Sequence, residues 1–400
     1  MDELAIGSEA WWMTITGPQH KRVGEYEQVT FWWRDPAGDE TTSVTRRVWI
    51  YITGVTDHHH HSPPQTLERI PHTDVWHWTT MLPPTWRGSY CFIPSIREDD
   101  FSPILFHAGI PDRMLLREGW RQLLPQAIAD PLNPLSWQGG RGHAMSGLEM
   151  PQAPEQAGWS TPAEQWNTPQ CITWRSERLG NQRRVWVFTT GATHSGPLPL
   201  AILLDGQFWA QSMPIWPALT ALTVAGRLPA AVYLLIDVID IEHRSAELPC
   251  HADFWLALQQ ELLPQVQAMV PVSDQPEQTI VAGQSFGGLS ALYAGLHWPE
   301  RFGCVLSQSG SYWWPHRGGQ QIGQLLEQLQ KGKFYPEKLT VFLEAGKREP
   351  LIFQVNQDVW RQLQQRKTQV FWRQIEGGHD ALCWRGGLTD GLMTLWGSHL

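Results

Sequence analysis

The residues best suited to covalent chemistry are Gly283-Gln284-Ser285-Phe286-Gly287-Gly288, a serine with glycine two positions before and after it. Upstream, Gln278-Thr279-Ile280-Val281-Ala282 has the composition of a buried strand. Downstream, Leu289-Ser290-Ala291-Leu292-Tyr293-Ala294-Gly295-Leu296 reads as a helix. A serine at a sharp strand-to-helix turn is lifted clear of the sheet, where its hydroxyl can attack an acyl carbon. The helix N-terminus behind it favours the negative charge that then develops. The turn is tight enough that side chains at Gly283 and Gly287 are expected to clash, so both positions call for glycine.

A serine nucleophile needs a base. Glu376-Gly377-Gly378-His379-Asp380 follows the last predicted strand, where a glycine-rich loop can bring an imidazole over the serine. His379 would take the Ser285 proton and later protonate the leaving alkoxide. The acid partner is open. Leu343-Glu344-Ala345-Gly346-Lys347-Arg348-Glu349-Pro350 offers Glu344 and Glu349; Glu349 lies beyond the glycine, where the loop can turn toward His379, and is preferred. Glu344 reads as still within its strand, Asp380 would have difficulty reaching round to the ring of its neighbour, and a dyad with a weakly engaged acid is a further alternative. Two N–H groups are required for the oxyanion: Phe286, directly after the nucleophile, and Gln207, after Leu203-Leu204-Asp205-Gly206. Asp205 reads as a loop-ordering residue.

These groups need a scaffold. Residues 25–95 carry short β patterns separated by turns: Gln28-Val29-Thr30-Phe31-Trp32-Trp33-Arg34, Arg47-Val48-Trp49-Ile50-Tyr51-Ile52, Asp74-Val75-Trp76-His77-Trp78-Thr79 and Gly88-Ser89-Tyr90-Cys91-Phe92-Ile93. That spacing predicts a small β-sandwich. Residues 95–166 are rich in Pro, Gly and polar residues and read as a linker or structured loop, with a short helix within 117–129. From residue 170 an antiparallel pair (170–174 and 184–189) leads into near-continuous apolar runs at 199–206 and 231–237, of the kind buried on both faces of a parallel sheet. Helical segments intervene, for example 253–269, and strand and helix alternate to the end. The fold class is therefore α/β: a β domain with its linker over residues 1–150, then a mostly parallel sheet of α/β-hydrolase type over 151–400.

Composition narrows the function. A net charge of −9 argues against a nucleic-acid partner, and no apolar stretch approaches the roughly 20 residues that span a bilayer. The first residues lack the basic and apolar regions of a secretory signal. The five cysteines, Cys91, Cys171, Cys250, Cys304 and Cys383, form no Cys-x-x-Cys pair and read as reduced, mostly buried thiols of a cytoplasmic protein. His58-His59-His60-His61 is read as an exposed loop, with no second cluster to complete a metal site. Gly139-Gly140-Arg141-Gly142-His143 is a linker or a segment able to close over a ligand. Tryptophan is the outlier, with 24 in all. Several lie beside another Trp or an Arg, as in Trp32-Trp33-Arg34, Trp86-Arg87, Trp174-Arg175 and Trp384-Arg385, and such pairs suit an aromatic, anionic ligand or else pack between domains. Ser311-Tyr312-Trp313-Trp314-Pro315-His316-Arg317-Gly318-Gly319 is a candidate substrate wall or a capping loop.

The segments Leu203-Leu204-Asp205-Gly206, Gly283-Gln284-Ser285-Phe286-Gly287-Gly288, Ser307-Gln308-Ser309-Gly310-Ser311-Tyr312-Trp313-Trp314 and Gly377-Gly378-His379-Asp380 resemble the esterase branch of the α/β-hydrolases. With Phe31-Trp32-Trp33-Arg34-Asp35-Pro36, the run from Val48 through Asp57 and Trp86-Arg87-Gly88-Ser89-Tyr90-Cys91-Phe92-Ile93-Pro94, nearly the whole chain is similar to the enterochelin (enterobactin) esterases of enteric bacteria. The histidine run and parts of 161–170 depart from that pattern. The resemblance implies a cytoplasmic enzyme that cuts the trilactone of ferric enterobactin to dihydroxybenzoyl-serine units, with an immunoglobulin-like N-terminal domain that helps to hold the substrate. It implies no cofactor, because the iron is carried by the substrate, and partners limited to ferric enterobactin and its linear fragments. A polyanionic tris-catecholate calls for a local basic pocket in this acidic protein; Arg317 and Arg385 are the residues chosen for it, with Trp314 and Trp384 as stacking partners. Two other readings compete: a carbohydrate-linked ester hydrolase, such as a feruloyl or acetyl esterase, and a protein that binds ferric siderophore without cleaving it.

Overall fold

The computed structural model describes residues 5–101, 112–139, 143–160, 167–191, 196–316 and 322–397. The chain forms two units. One comprises Met1–Pro154 with two short returns of the chain, Lys347–Glu349 and Glu376–Cys383; the other comprises Glu155–Gly346, Pro350–Ile375 and Trp384–Leu400.

In the first unit, alternation builds the sheets. The strand Tyr26–Arg34 buries Val29, Phe31 and Trp33 and turns Thr30 and Trp32 outward. The Trp32-Trp33 pair is divided accordingly: Trp33 is core, while Trp32 packs on Trp11 and His77. This strand joins Gln19–Val23, Val75–Leu82 and Glu68–Arg69 in a four-stranded antiparallel sheet. A five-stranded sheet runs in the order Gln65–Thr66, Arg47–Ile52, Arg87–Ser95, Ala144–Glu149, Ser136–Gln138. The inner faces share one core, with Val29, Phe31 and Trp33 from the first sheet and Val48, Ile50, Tyr90 and Phe92 from the second. The helix Arg113–Leu123 covers the outer face of the second sheet, packing Leu116, Trp120 and Leu123 on Trp49, Tyr51 and Ile93. Within Arg87–Ser95, Tyr90 and Phe92 face one core and Cys91 and Ile93 the other, which explains why apolar residues run there without alternation.

Residues 136–149 are not a linker. Ala144–Glu149 pairs with Arg87–Ser95 and carries Ser136–Gln138 at the sheet edge. Neither segment announces itself, because one is three residues long and the other contains Gly147; the neighbouring strand, not local pattern, makes them strands.

The second unit is built on an eight-stranded mixed sheet in the order Gln170–Ser176, Asn181–Thr189, Val232–Ile236, Leu200–Leu203, Thr279–Gln284, Cys304–Gln308, Thr340–Gly346, Gln369–Ile375. Asn181–Thr189 is antiparallel to both of its neighbours, and the remaining pairs are parallel. The parallel strands Leu200–Leu203, Val232–Ile236 and Thr279–Gln284 are buried throughout. After Leu203 the chain adds Val232–Ile236 on one side and then Thr279–Gln284 on the other. Open sheets of this kind bind ligands at the carboxyl ends of the strands where the order reverses. Two of the Trp-Arg pairs belong to packing rather than to any ligand: Trp86 is 0% exposed and Trp174 1%.

Candidate active site

The elbow forms at that reversal of strand order. Thr279–Gln284 ends in Ser285, and the helix Phe286–His297 begins at once. Ser285 has φ 59° and ψ −120°, a conformation rare for a residue with a side chain and characteristic of positions held for function. Its N–H donates to Gln308 O at 3.0 Å, and its carbonyl accepts from Ser311 N–H at 3.1 Å, so the strained residue is pinned on both sides. Its Oγ lies 3.2 Å from Ser311 Oγ. A Cβ on Gly283 would fall 2.3 Å from the backbone C and O of Gly287, so Gly283 is obligatory. The expectation for Gly287 is corrected: a Cβ there meets Asp205 Oδ2 and Leu204 Cβ at an ordinary 3.5 Å. The second steric demand falls on Gly288, whose Cβ would lie 2.8 Å from Ser307 Oγ and 3.0 Å from Gly310 Cα. Gly283→Ala is therefore expected to cost about 3 kcal/mol, since only backbone movement can relieve the overlap; an unchanged urea midpoint would contradict this close approach.

The loop after Leu200–Leu203 lies beside the elbow, because Leu203 pairs with Ala282. Asp205 adopts φ 53°, and a Cβ on Gly206 would fall 2.1 Å from Ile236 N. Arg244, from the helix Ile241–Glu247, grips Asp205 with two bonds of 2.7 and 2.9 Å and reaches Gln284 O at 3.3 Å. Burial works against the charge of Arg244, yet the Asp205 carboxylate holds the guanidinium above its ordinary value. Asp205 thus orders the loop. Gln207 accepts from Val238 N–H through its side-chain oxygen at 3.2 Å, and its main chain enters the turn Phe208–Ser212. Phe286 opens its helix, and N–H groups in a first helical turn have no acceptor within the helix. Sequence reasoning did not single out Arg244: a cation 39 residues from its carboxylate leaves no local signal.

A buried polar chain runs under the elbow. Trp209 Nε1 donates to Gln284 Oε1 (3.1 Å), Gln284 Nε2 to Gln308 Oε1 (2.9 Å), and Gln308 Nε2 to Glu344 Oε1 (2.8 Å). Arg373 Nε meets Glu344 Oε2 at 3.0 Å and also pairs with Asp390. Glu344 is 0% exposed, and a Cβ on Gly387 would overlap its carboxylate. The structure therefore turns Glu344 into this network.

Glu349 and His379 belong to the first unit. Glu349 Oε2 lies 2.7 Å from His379 Nδ1, and since a carboxylate only accepts, the proton of that bond sits on Nδ1. Glu349 is buried, whereas the His379 side chain is 15% exposed. The ring of His59 stacks on that of His379 with centroids 4.6 Å apart, and His58 lies against His59 at 4.0 Å. The reading of the histidine run as an exposed loop is overturned: His58, His59 and His60 are half-buried, and only His61 is exposed. Packing against a loop hundreds of residues away covers them. Beneath them, burial pushes the Asp57 carboxyl up to about 7, against hydrogen bonds from Gly54 and His60 and with the charges of Glu349 and Asp380 adding to the rise.

Residues 28–159 match the family described as "Enterochelin esterase, N-terminal", and residues 176–395 the family described as "Putative esterase". The iron(III) enterobactin esterase of Escherichia coli O6:H1 is 64% identical over 397 residues, covering 99% of this chain and 98% of the relative. The chain belongs to the iron(III) enterobactin esterase family. The ferric enterobactin esterase of Salmonella typhimurium has a crystal structure similar to this one at TM-score 0.93 and 62% identity, covering 98% of this chain and 99% of that one. The enterobactin esterase of Shigella flexneri, crystallised in the presence of enterobactin, gives TM-score 0.89 at 61% identity, covering 99% and 100%.

Within this enterobactin esterase family member, the residues expected to contact substrate are placed as follows. Trp314 is half-buried against the main core of the second unit, and Trp313 lies 6.0 Å from the Phe286 ring. Trp384 Nε1 donates to Ser309 Oγ at 3.0 Å. Arg385 binds Gln156 Oε1 through Nε and lies 5.3 Å over the Trp159 ring, whose Nε1 donates to Arg385 O. Arg317 and Arg141 lie outside the described residues. No described helix is long and apolar enough to cross a membrane.

Proposed function

We propose that this chain hydrolyses the trilactone ester bonds of ferric enterobactin, with Ser285 as nucleophile, His379 as general base, Glu349 as its acid partner, and the N–H groups of Phe286 and Gln207 as oxyanion donors. The observation that carries the reading is the 2.7 Å bond from His379 Nδ1 to Glu349. With the proton on Nδ1, Nε2 is the unprotonated nitrogen that takes the serine proton, and a buried carboxylate faces the imidazolium that forms.

Each step balances. Nε2 takes the Ser285 proton as Oγ bonds to the lactone carbonyl carbon, and the carbonyl electrons move to an oxyanion met by two N–H groups. Collapse of the tetrahedral centre breaks the bond to the ester oxygen, which leaves with the proton from His379, and an acyl-enzyme remains. Water, deprotonated by His379, then releases the acid and regenerates Ser285. The iron remains with the catecholates as part of the substrate, so the reading requires no cofactor from the chain. It includes Trp314, Trp384, Arg385 and Arg317 as contacts for the catecholates, an immunoglobulin-like arrangement of the N-terminal sheets, and a cytoplasmic setting, in keeping with free thiols at Cys91, Cys171, Cys250 and Cys304.

The test is hydrolysis of purified ferric enterobactin by wild type and Ser285→Ala, with chromatography of the catechol products. Dihydroxybenzoyl-serine from wild type alone is expected. No product from wild type, together with release of ferulate or acetate from model esters, would overturn the reading in favour of a carbohydrate-linked esterase.

A further inference from the structure

Asp380 follows the base in sequence, and the chemistry above gives it no task. It is nonetheless 3% exposed and fully engaged. Oδ1 accepts from the Ser89 hydroxyl at 2.5 Å and from Leu382 N–H at 2.8 Å; Oδ2 accepts from Ser89 N–H at 2.5 Å and from the Thr53 hydroxyl. The bond to Leu382 is an ordinary N-terminal cap on the helix Ala381–Gly397. Capping needs one oxygen and does not account for the other three bonds. Those go to residues about 290 and 330 positions away in sequence, on the paired strands Arg87–Ser95 and Arg47–Ile52 or directly after them. Thr53 and Ser89 are also joined to each other, Thr53 N–H donating to Ser89 O at 3.0 Å.

The backbone around this clamp is equally close. A Cβ on Gly378 would lie 2.5 Å from Gly54 N, and one on Gly54 would lie 2.8 Å from Arg348 Cβ. Arg348 N–H donates to Gly377 O at 3.0 Å, and its side chain reaches Gly54 O at 3.3 Å. The loops that carry Glu349 and His379 are therefore seated on strands of the β-rich unit.

We propose that Asp380 is a positioning residue, which through Ser89 and Thr53 fixes the loop carrying His379, so that the N-terminal strands set the orientation of the base. The inference rests on His379 being the base. Adjacent Cα atoms are about 3.8 Å apart, so any shift of residue 380 is passed to the imidazole. Hydrogen bonds to an ionised carboxylate are short and strong, which resists such a shift.

The test removes the two hydroxyl donors and leaves Asp380 with its cap and the Ser89 N–H. Thr53→Val, Ser89→Ala and the double variant are assayed on ferric enterobactin, and the low-field ¹H resonance of the imidazole N–H shared with Glu349 is recorded for each. The double variant is expected to lose about tenfold to a hundredfold in kcat, the scale of a displacement near 1 Å. KM is expected to stay within about twofold, because the loss falls on the reacting geometry, and the resonance is expected to shift or broaden. Thr53→Ser, which keeps the hydroxyl, is expected to restore both. A folded double variant with unchanged kcat and an unmoved resonance would overturn the proposal, whatever its thermal stability. If the double variant does not fold, Thr53→Val alone decides by the same two readouts. Glu349→Gln separates the underlying reading: if it alters neither turnover nor the resonance, the His379–Glu349 assignment falls; if it removes both while the double variant keeps both, only the clamp falls.

Discussion

Ser285→Ala is expected to reduce kcat on ferric enterobactin by about 10⁵-fold or more, the scale at which other serine hydrolases respond to loss of the nucleophile. The protein itself should be little changed. Alanine keeps the Cβ, so the cost of φ 59° is already present in wild type, and the bonds that pin the turn come from the backbone of Ser285. The substitution removes the hydroxyl and with it the hydrogen bond to Ser311 Oγ, at 3.2 Å a long and weak one. Thermal stability and ligand affinity are therefore expected to stay close to wild type, with affinity measured by titrating the variant with ferric enterobactin and turnover followed by product chromatography. The two readouts separate the competing readings. A variant that binds but does not cut fits a serine esterase; wild type and variant that both bind and neither cut would indicate a siderophore-binding protein; a variant that still cuts would place the nucleophile elsewhere.

Exchanging the two candidate acids should produce opposite phenotypes. Glu349→Gln is expected to lower kcat by about 10⁴-fold, as loss of the orienting carboxylate does in other triads. An amide facing His379 Nδ1 can donate to it, which favours the tautomer with the proton on Nε2, where it cannot accept from serine, and the charge opposite the imidazolium is gone. Glu344→Gln should act on stability. Its carboxylate is wholly buried between Gln308 and Arg373, so the substitution removes a charge-assisted bond to a partly exposed Arg373 that keeps Asp390, and costs about 2 kcal/mol. Urea midpoints and steady-state kinetics for the two variants check this together. Equal kinetics would refute the choice of Glu349.

Much of the architecture is a matter of local pattern. Val29, Phe31 and Trp33 alternate because one face of their strand is core, and Leu200–Leu203 and Val232–Ile236 are continuous apolar runs because both of their faces are buried. The turn at Ser285 is likewise written in its own neighbours: a strand, a helix and glycines where backbone meets backbone. Even there, distribution in space had the last word. The crowding falls on Gly288 rather than Gly287, because Ser307 and Gly310 approach from the next strand.

What lay beyond the sequence is whatever depends on contacts between distant segments. Two glutamates five positions apart differ only in where their backbones point; the fold aims Glu344 at Arg373 and Glu349 at His379. The histidine run has the composition of a loose loop, yet His59 stacks on His379 and His58, His59 and His60 are half-buried. Asp205 advertises a need for a partner without naming Arg244, and nothing near Asp380 points to Thr53 or Ser89. Periodicity and turn chemistry act over a few residues, so the sequence by itself determined the elements and the kinds of chemistry they carry. Which polar groups meet is decided when the chain closes on itself, because a buried charge must find its partner wherever the tertiary structure brings one.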